Sequence, residues 1–204
     1  VSGDITVTNG AISNLTPSSS NTKVYTATFT PTTNGNCSIQ VTPGSYSDVV
    51  GNNNTTTSTF NWTFNNLTPS VGITSTTSGV SDLSTTNDTS IALRFTISEA
   101  SSDFVKDNIA VTNGSLTTLV EVNSTQYTST FTPTGQGACS ILVPVGAFTN
   151  VVGISNSASN TFNWTFDSTR PTMAITATKP DGVTIVSSGS TSNDATLLLT
   201  FTSS

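Results

Sequence analysis

Few side chains in this chain could carry chemistry. Asp103 and Asp107 flank Phe104-Val105-Lys106. Two carboxyls on one loop are the equipment of a glycosidase, one as acid and one as base or nucleophile. The rest of such a site cannot be filled from the sequence: no cleft is marked, no nucleophile–base pair or oxyanion donor can be assigned, and Gly3 stands where Asp107 has its counterpart. There is no histidine, which excludes Ser-His-Asp and Cys-His catalysis and His-ligated zinc. Cys37 and Cys139 share the inward parity of the Ile and Val that follow them, so each reads as a buried free thiol. A disulfide between them would have to span two domains; a bridge to another molecule is the other option. Neither has a base beside it. Trp62 and Trp164 could stack on sugars, but their parity with Phe60, Phe64, Phe162 and Phe166 assigns them to a core. Asn-x-Ser/Thr sequons stand at Asn14, Asn36, Asn53, Asn54, Asn61, Asn66, Asn87, Asn113, Asn123 and Asn163. Asn61 and Asn163 recur between an inward Phe and an inward Trp, so each should point outward and be the first to carry sugar. A sugar coat would hydrate a surface poor in charge.

Composition narrows the classes further. The 204 residues carry 5 basic and 11 acidic side chains, a net charge of −6, and charged residues make up only 8%, against roughly 25% in an ordinary soluble domain. Five scattered cations make no nucleic-acid footprint. No apolar run approaches the roughly 20 residues of a membrane-spanning helix. Strong helix formers are scarce. The chain starts at Val1 with no initiator Met and no apolar leader, and so reads as a mature protein or a fragment of one.

The elements that must position these residues are written as a repeat. Asp4-Ile5-Thr6-Val7-Thr8-Asn9-Gly10 recurs 104 positions later as Asn108-Ile109-Ala110-Val111-Thr112-Asn113-Gly114. Three further blocks recur 102 positions on: Tyr25-Thr26-Ala27-Thr28-Phe29-Thr30-Pro31 at 127–133, Cys37-Ser38-Ile39 at 139–141, and Phe60-Asn61-Trp62-Thr63-Phe64 at 162–166. A third copy begins where Pro171 and Ile175 match Pro69 and Ile73, and Phe201 matches Phe95. The chain therefore divides into the back part of one repeat lacking its first two strands (1–68), a complete repeat (69–170) and the first two strands of another (171–204).

Each block alternates apolar and polar residues, the pattern of a half-buried strand. Ile91, Leu93, Phe95 and Ile97 share a face, as do Tyr127, Ser129 and Phe131, and Cys139, Ile141 and Val143. Strands are predicted near 71–76, 90–98, 109–112, 116–121, 125–132, 138–143 and 161–166. Seven short strands in a repeat of about 100 residues predict an all-β chain of tandem immunoglobulin-like antiparallel β-sandwiches. The antibody Cys…Trp…Cys pattern is absent.

The succession Asp-Ile-Thr-Val-Thr-Asn-Gly, Tyr-Thr-Ala-Thr-Phe-Thr-Pro, a Gly-containing turn, Phe-Asn-Trp-Thr-Phe and a Thr-x-Pro junction resembles the bacterial-type Ig-like repeats of large extracellular adhesins and surface fibre proteins. The resemblance covers the whole chain. It implies a non-catalytic, glycosylated building block of an extracellular fibre or adhesin stalk, whose partners are neighbouring copies joined head to tail in a filament. A carbohydrate- or protein-binding module of a cell-surface adhesin is the alternative. No nucleic acid, membrane insertion or resident cofactor is expected apart from covalent glycans. Such repeats often hold calcium at their junctions, which would point to Asp48 and Asp167, although Asp48 becomes Asn150 and Asn65 becomes Asp167 between copies. The complementary end pieces leave two readings open: a window cut from a longer array, or a protomer whose residues 171–204 complete residues 1–68 of its neighbour.

Overall fold

Alternation in the sequence becomes alternation in burial. The computed structural model describes residues 2–21 and 23–204; Val1 and Thr22 lie outside it. Strand β8 (Ile91–Ile97), as numbered below, buries Ile91, Leu93, Phe95 and Ile97 and exposes Ala92, Arg94 and Thr96. Among the described residues the chain is nearly all strand and turn; its helical content is two single 3-10 turns, Ser2–Asp4 and Lys106–Asn108.

The first copy contains β1 (Ile5–Thr8), β2 (Gly10–Pro17), β3 (Tyr25–Pro31), β4 (Gly35–Val41) and β5 (Ser58–Phe64). They form one sheet of order β1-β4-β5 and a second of β2-β3. The central copy contains β6 (Val71–Ser75), β7 (Ser84–Thr86), β8, β9 (Ala110–Thr112), β10 (Gly114–Leu116), β11 (Val120–Asn123), β12 (Gln126–Pro133), β13 (Gly137–Leu142) and β14 (Phe162–Phe166). Its sheets run β10-β12-β8-β6, with β11 also on β12, and β7-β14-β13-β9. The last piece is a sheet of order β16-β15-β17, built from β15 (Met173–Thr178), β16 (Ile185–Val186) and β17 (Leu198–Ser203). Among the described residues all strand pairings are antiparallel except β7 with β14. This is the immunoglobulin-like sandwich that the alternation predicts.

The repeat is reproduced down to register. Cys37 lies opposite Trp62 and Ile39 opposite Phe60, as Cys139 lies opposite Trp164 and Ile141 opposite Phe162. Both sandwiches close on the same contact. Phe131 stands edge-on to Trp164 with ring centroids 4.5 Å apart at 80°, and Phe29 meets Trp62 at 4.5 Å and 77°. Edge-to-face aromatic pairs add about 0.5–1.5 kcal/mol beyond their burial. The ring of Phe131 also lies against the backbone of Gly114, where a Cβ would sit 2.1 Å from Cζ; at Gly10 the distance to Phe29 is 2.2 Å. Glycine is required there because the ring occupies the place of a side chain.

Three details differ from the predicted elements, the first being that residues 171–204 hold three strands rather than two, because Ile185–Val186 pairs with β15 as β16. The stretch predicted as one strand at 116–121 is two, β10 and β11, with Thr117 turned to bond Ser129 across β12: its Oγ1 lies 3.0 Å from Ser129 Oγ, which donates to its carbonyl at 2.9 Å. Strand β7 escapes the sequence pattern because Ser84-Thr85-Thr86 has no apolar residue to alternate; it forms by laying its backbone beside Trp164–Phe166.

The outer copies leave their cores open. Tyr25 and Phe60 in the first and Met173, Ile175, Leu199 and Phe201 in the last are exposed, whereas the central counterparts are buried. Trp62 is half-buried, on the same strand face as buried Trp164.

Gly114→Ala should force Phe131 off its seat and lower unfolding stability of the central domain by about 1–3 kcal/mol, the usual cost of overpacking. Gly72→Ala, whose Cβ would meet nothing closer than Thr96 O at 4.0 Å, should be close to neutral in the same denaturant titration.

Candidate functional site

Between β9 and β10 the chain passes from one sheet to the other, and Asn113 makes the step with φ 55°; Asn9 does so between β1 and β2 with φ 56°. Asparagine tolerates this left-handed conformation better than most residues. Its side chain then ties the step down. Asn113 Nδ2 donates to Gly135 O at 2.9 Å and to Cys139 Sγ at 3.6 Å, and Thr134 Oγ1 donates to its Oδ1 at 3.1 Å. Asn9 repeats the set with Thr33 O, Cys37 Sγ and the Thr33 hydroxyl. Each thiol donates to the same asparagine's carbonyl, at 3.6 Å. Both cysteines are free and buried. Burial pushes the Cys139 thiol up, more than the bonds from Phe166 and Asn113 bring it down, so the sulfur stays protonated and serves as a packing and hydrogen-bonding group. Local pattern alone does not mark Asn9 and Asn113 for this part; their recurrence beside the recurring Cys is the available signal.

The carboxylates are occupied one at a time, and the fold does not gather them. Asp103 accepts from Ser101 Oγ at 2.7 Å, from the Thr149 amide at 2.9 Å and from Thr149 Oγ1 at 2.9 Å. It thereby ties the loop after β8 to the loop after β13. Asp107 stands in the exposed 3-10 turn. Asp48 accepts from the amides of Val50 (3.0 Å) and Asn52 (2.9 Å) on one oxygen and from Asn52 Nδ2 (2.9 Å) on the other. Its counterpart Asn150 accepts the same pair of turn amides, from Val152 and Ile154. Asp167 accepts from the Thr169 amide at 2.9 Å. Bonds from the Asn52 side chain and backbone hold Asp48 below the usual carboxylate value, and bonds from Thr169 do the same for Asp167. Among the described residues no three His, Cys, Asp or Glu side chains converge as a metal site would need.

The sequon asparagines fall into two groups. Asn54 and Asn113 have their amide nitrogens engaged, Asn54 with Thr42 O and Thr56 O and Asn113 as above. Asn163 is half-buried, with the Asp82–Leu83 turn bonded to its backbone and its Nδ2 3.4 Å from Thr161 O. Asn14, Asn36, Asn53, Asn61, Asn66, Asn87 and Asn123 are exposed. In the central copy β7 runs beside the Phe-Asn-Trp sequon, and its flanking turn limits access to Asn163.

The junction between the first two copies is built from polar side chains. Asn65 Nδ2 donates to Glu99 Oε2 at 2.9 Å while its Oδ1 accepts from Leu67 N at 2.9 Å. Asn150 Nδ2 donates to Leu67 O at 3.2 Å, Asn34 Oδ1 accepts from Asn66 N, and Ser157 N donates to Pro69 O at 2.8 Å. Pro69 is buried. The linker is thus held by loops on both sides and by a proline that restricts its φ.

This architecture has counterparts. A family model described as a bacterial Ig-like domain matches residues 1–64 and 65–166. The chain belongs to the bacterial Ig-like domain family. No curated protein matches it. Among solved structures it is similar to InvD of Yersinia pseudotuberculosis, at 22% identity and a TM-score of 0.40, covering 86% of this chain and 51% of that one. The chain thus spans about half the length of that structure. No helix of the Ig-like chain is long and apolar enough to cross a membrane among its described residues.

Asp103 gives the Ig-like domain a pH response. Burial works to raise its pKa, but the bonds from Ser101 and Thr149 together outweigh that and hold it below the ordinary 3.8. A depressed native pKa stabilises above the unfolded value and loses that contribution as pH falls through the native one. Acidification below 3.8 should release the Thr149 amide, seen as faster hydrogen exchange there, and Asp103→Asn should remove the step.

Proposed function

We propose that this chain is a structural segment of an extracellular fibre or adhesin stalk, non-catalytic, glycosylated on its exposed asparagines and joined head to tail to further copies. The observation that carries this reading is the junction. Two sandwiches closed by the same Gly–Phe–Trp contact are connected through Asn65–Pro69, and that connector is bonded by Asn34, Glu99, Asn150 and Ser157. A linker held in this way transmits reach and load along the chain, which a flexible tether of Gly and Ser does not. The carboxylates support the same reading, since Asp48, Asp103 and Asp167 are spent on turns and loop ties and none faces another across a cleft. The low charge favours a sugar coat as the means of solubility. Asn14, Asn36, Asn53, Asn61, Asn66, Asn87 and Asn123 are exposed sequon sites that suit it.

Antibody raised against the chain should label intact producing cells or the fibres they shed, and protease added outside should remove the label. Label that appears only after lysis would overturn the reading. Mass spectrometry of the native protein should find added sugar on one or more of the seven exposed asparagines, and an unmodified polypeptide would remove the glycan part alone. Replacing Asn65 and Asn150 together with Ala should broaden the interdomain angles seen by small-angle scattering while leaving each domain's unfolding intact.

A further inference from the structure

Asparagine is followed by glycine at 9–10, 34–35 and 113–114. In this dipeptide a main-chain amide readily attacks the side chain before it, because glycine has no Cβ to shield its nitrogen. The fold treats the three pairs differently. Asn9 and Asn113 have both ends of the side-chain amide engaged. Asn9 donates to Thr33 O at 2.7 Å and accepts from the Thr33 amide and hydroxyl; Asn113 donates to Gly135 O and accepts from Thr134 Oγ1. The glycine after each is pinned under a phenylalanine ring that leaves no room for a Cβ. Asn34, in the turn between β3 and β4, is exposed, and its Oδ1 accepts from the linker amide of Asn66 at 2.6 Å. Gly35 opens β4 with φ 130°, and a Cβ there would meet nothing nearer than Asn9 Nδ2 at 3.9 Å. The exposure belongs to the turn itself. In the central domain, whose core is covered, the counterpart Gln136 is exposed too, and its Oε1 accepts from the amide of Ser168 at 3.0 Å.

From this we infer that Asn34 is a site of spontaneous deamidation, a modification that changes how the first copy holds the linker. The main-chain nitrogen of Gly35 attacks Cγ of Asn34. The Gly35 N–H proton passes to the departing side-chain nitrogen, ammonia leaves, and the new C–N bond closes a succinimide ring. Water then opens the ring at either carbonyl, giving aspartate or, with the main chain rerouted through the side chain, isoaspartate. Only water is consumed and only ammonia released. The Asn66 amide assists the first step, because it donates to the oxygen on which negative charge develops in the tetrahedral intermediate. Aspartate keeps an acceptor for that amide. Isoaspartate lengthens the main chain between β3 and β4 and draws the acceptor away, so that the linker keeps its ties to Glu99, Asn150 and Ser157 but loses the one to the first copy. At the second junction Gln136 precedes Gly137. The same attack there must close a larger ring, which forms far more slowly, so the bonds of Gln136 to Ser168 N and Oγ persist. The first junction therefore loosens with age while the second does not. This chemistry is independent of the stalk reading; it asks only for Asn34, Gly35, Asn66 and water.

The test uses the whole chain, incubated at mildly alkaline pH and then digested in acid, which halts the reaction. Peptides spanning 34–35 should appear as aspartate and isoaspartate forms, separated by chromatography and distinguished by labelling with isoaspartate methyltransferase. Those spanning 9–10 and 113–114 should convert at least about ten-fold more slowly, the factor that a local opening cost of about 1.4 kcal/mol imposes. In denaturant the three pairs should convert at like rates. Asn34→Gln should abolish conversion at 34–35 while keeping an acceptor for Asn66, as Gln136 does for Ser168. Small-angle scattering should show broader interdomain angles for the incubated chain than for the fresh one, and no broadening for the incubated variant. An unconverted 34–35 peptide, equal conversion at all three pairs in the folded chain, the same ranking in denaturant, angles that do not change, or broadening that the variant shares would each overturn the inference. Surface labelling of cells reads none of these quantities, so failure of the deamidation and failure of the stalk reading are told apart.

Discussion

Each sandwich depends on one aromatic ring that leaves no room for a side chain beneath it. Phe131 reaches from one sheet to stand edge-on to Trp164 of the other, and does so over Gly114, in the strand that has just crossed between sheets. The crossing places glycine under the ring, the ring fixes the spacing of the sheets, and the indole completes the seal. Trp164 Nε1 is buried there without a hydrogen-bond partner, at a cost of about 1–3 kcal/mol, which the surrounding apolar burial must outweigh. The first copy keeps the contact even with half its core open.

Polar residues do structural work around that contact. In a chain so poor in charge, amide side chains replace ion pairs as the ties between loops. Asn113 holds the crossover, Asn156 bonds Phe148 N, Pro144 O and Ser157 O within the long loop after β13, and Asn150 holds the linker. Asn54 repeats the part of Asn156 with Tyr46 N, Thr42 O and Thr56 O. A buried amide offers donors and an acceptor without the desolvation cost of a charge. This explains how carboxylates can be exchanged for amides between copies: Asp48 and Asn150 accept the same two turn amides. The amide at 150 can also donate, and it uses that capacity on the linker carbonyl.

The repeat length, the strands of the central copy and the inward parity of Trp164, Cys139 and Phe131 were legible in the sequence, since burial follows alternation on a pleated strand whatever the partner. Sheet membership was not. Asn113 and Gly114 act as a passage between sheets that no local pattern marks, and β7 has no apolar pattern because its contribution is backbone pairing alone. Sequon accessibility was likewise hidden: nothing near Asn163 in the sequence shows that the distant Asp82–Leu83 turn bonds its backbone.

By itself the sequence determined that one sandwich is written repeatedly, with its apolar residues on one side of each strand and hydroxyl and amide groups on the other, because both are properties of local spacing. Tertiary structure alone decided which of those apolar faces are covered, which carboxylates are consumed by loops and how the linker is held. Those outcomes depend on backbone and side-chain partners far apart in the chain, such as Asn150 with Leu67 and Asp103 with Thr149, and no local pattern encodes where such partners meet.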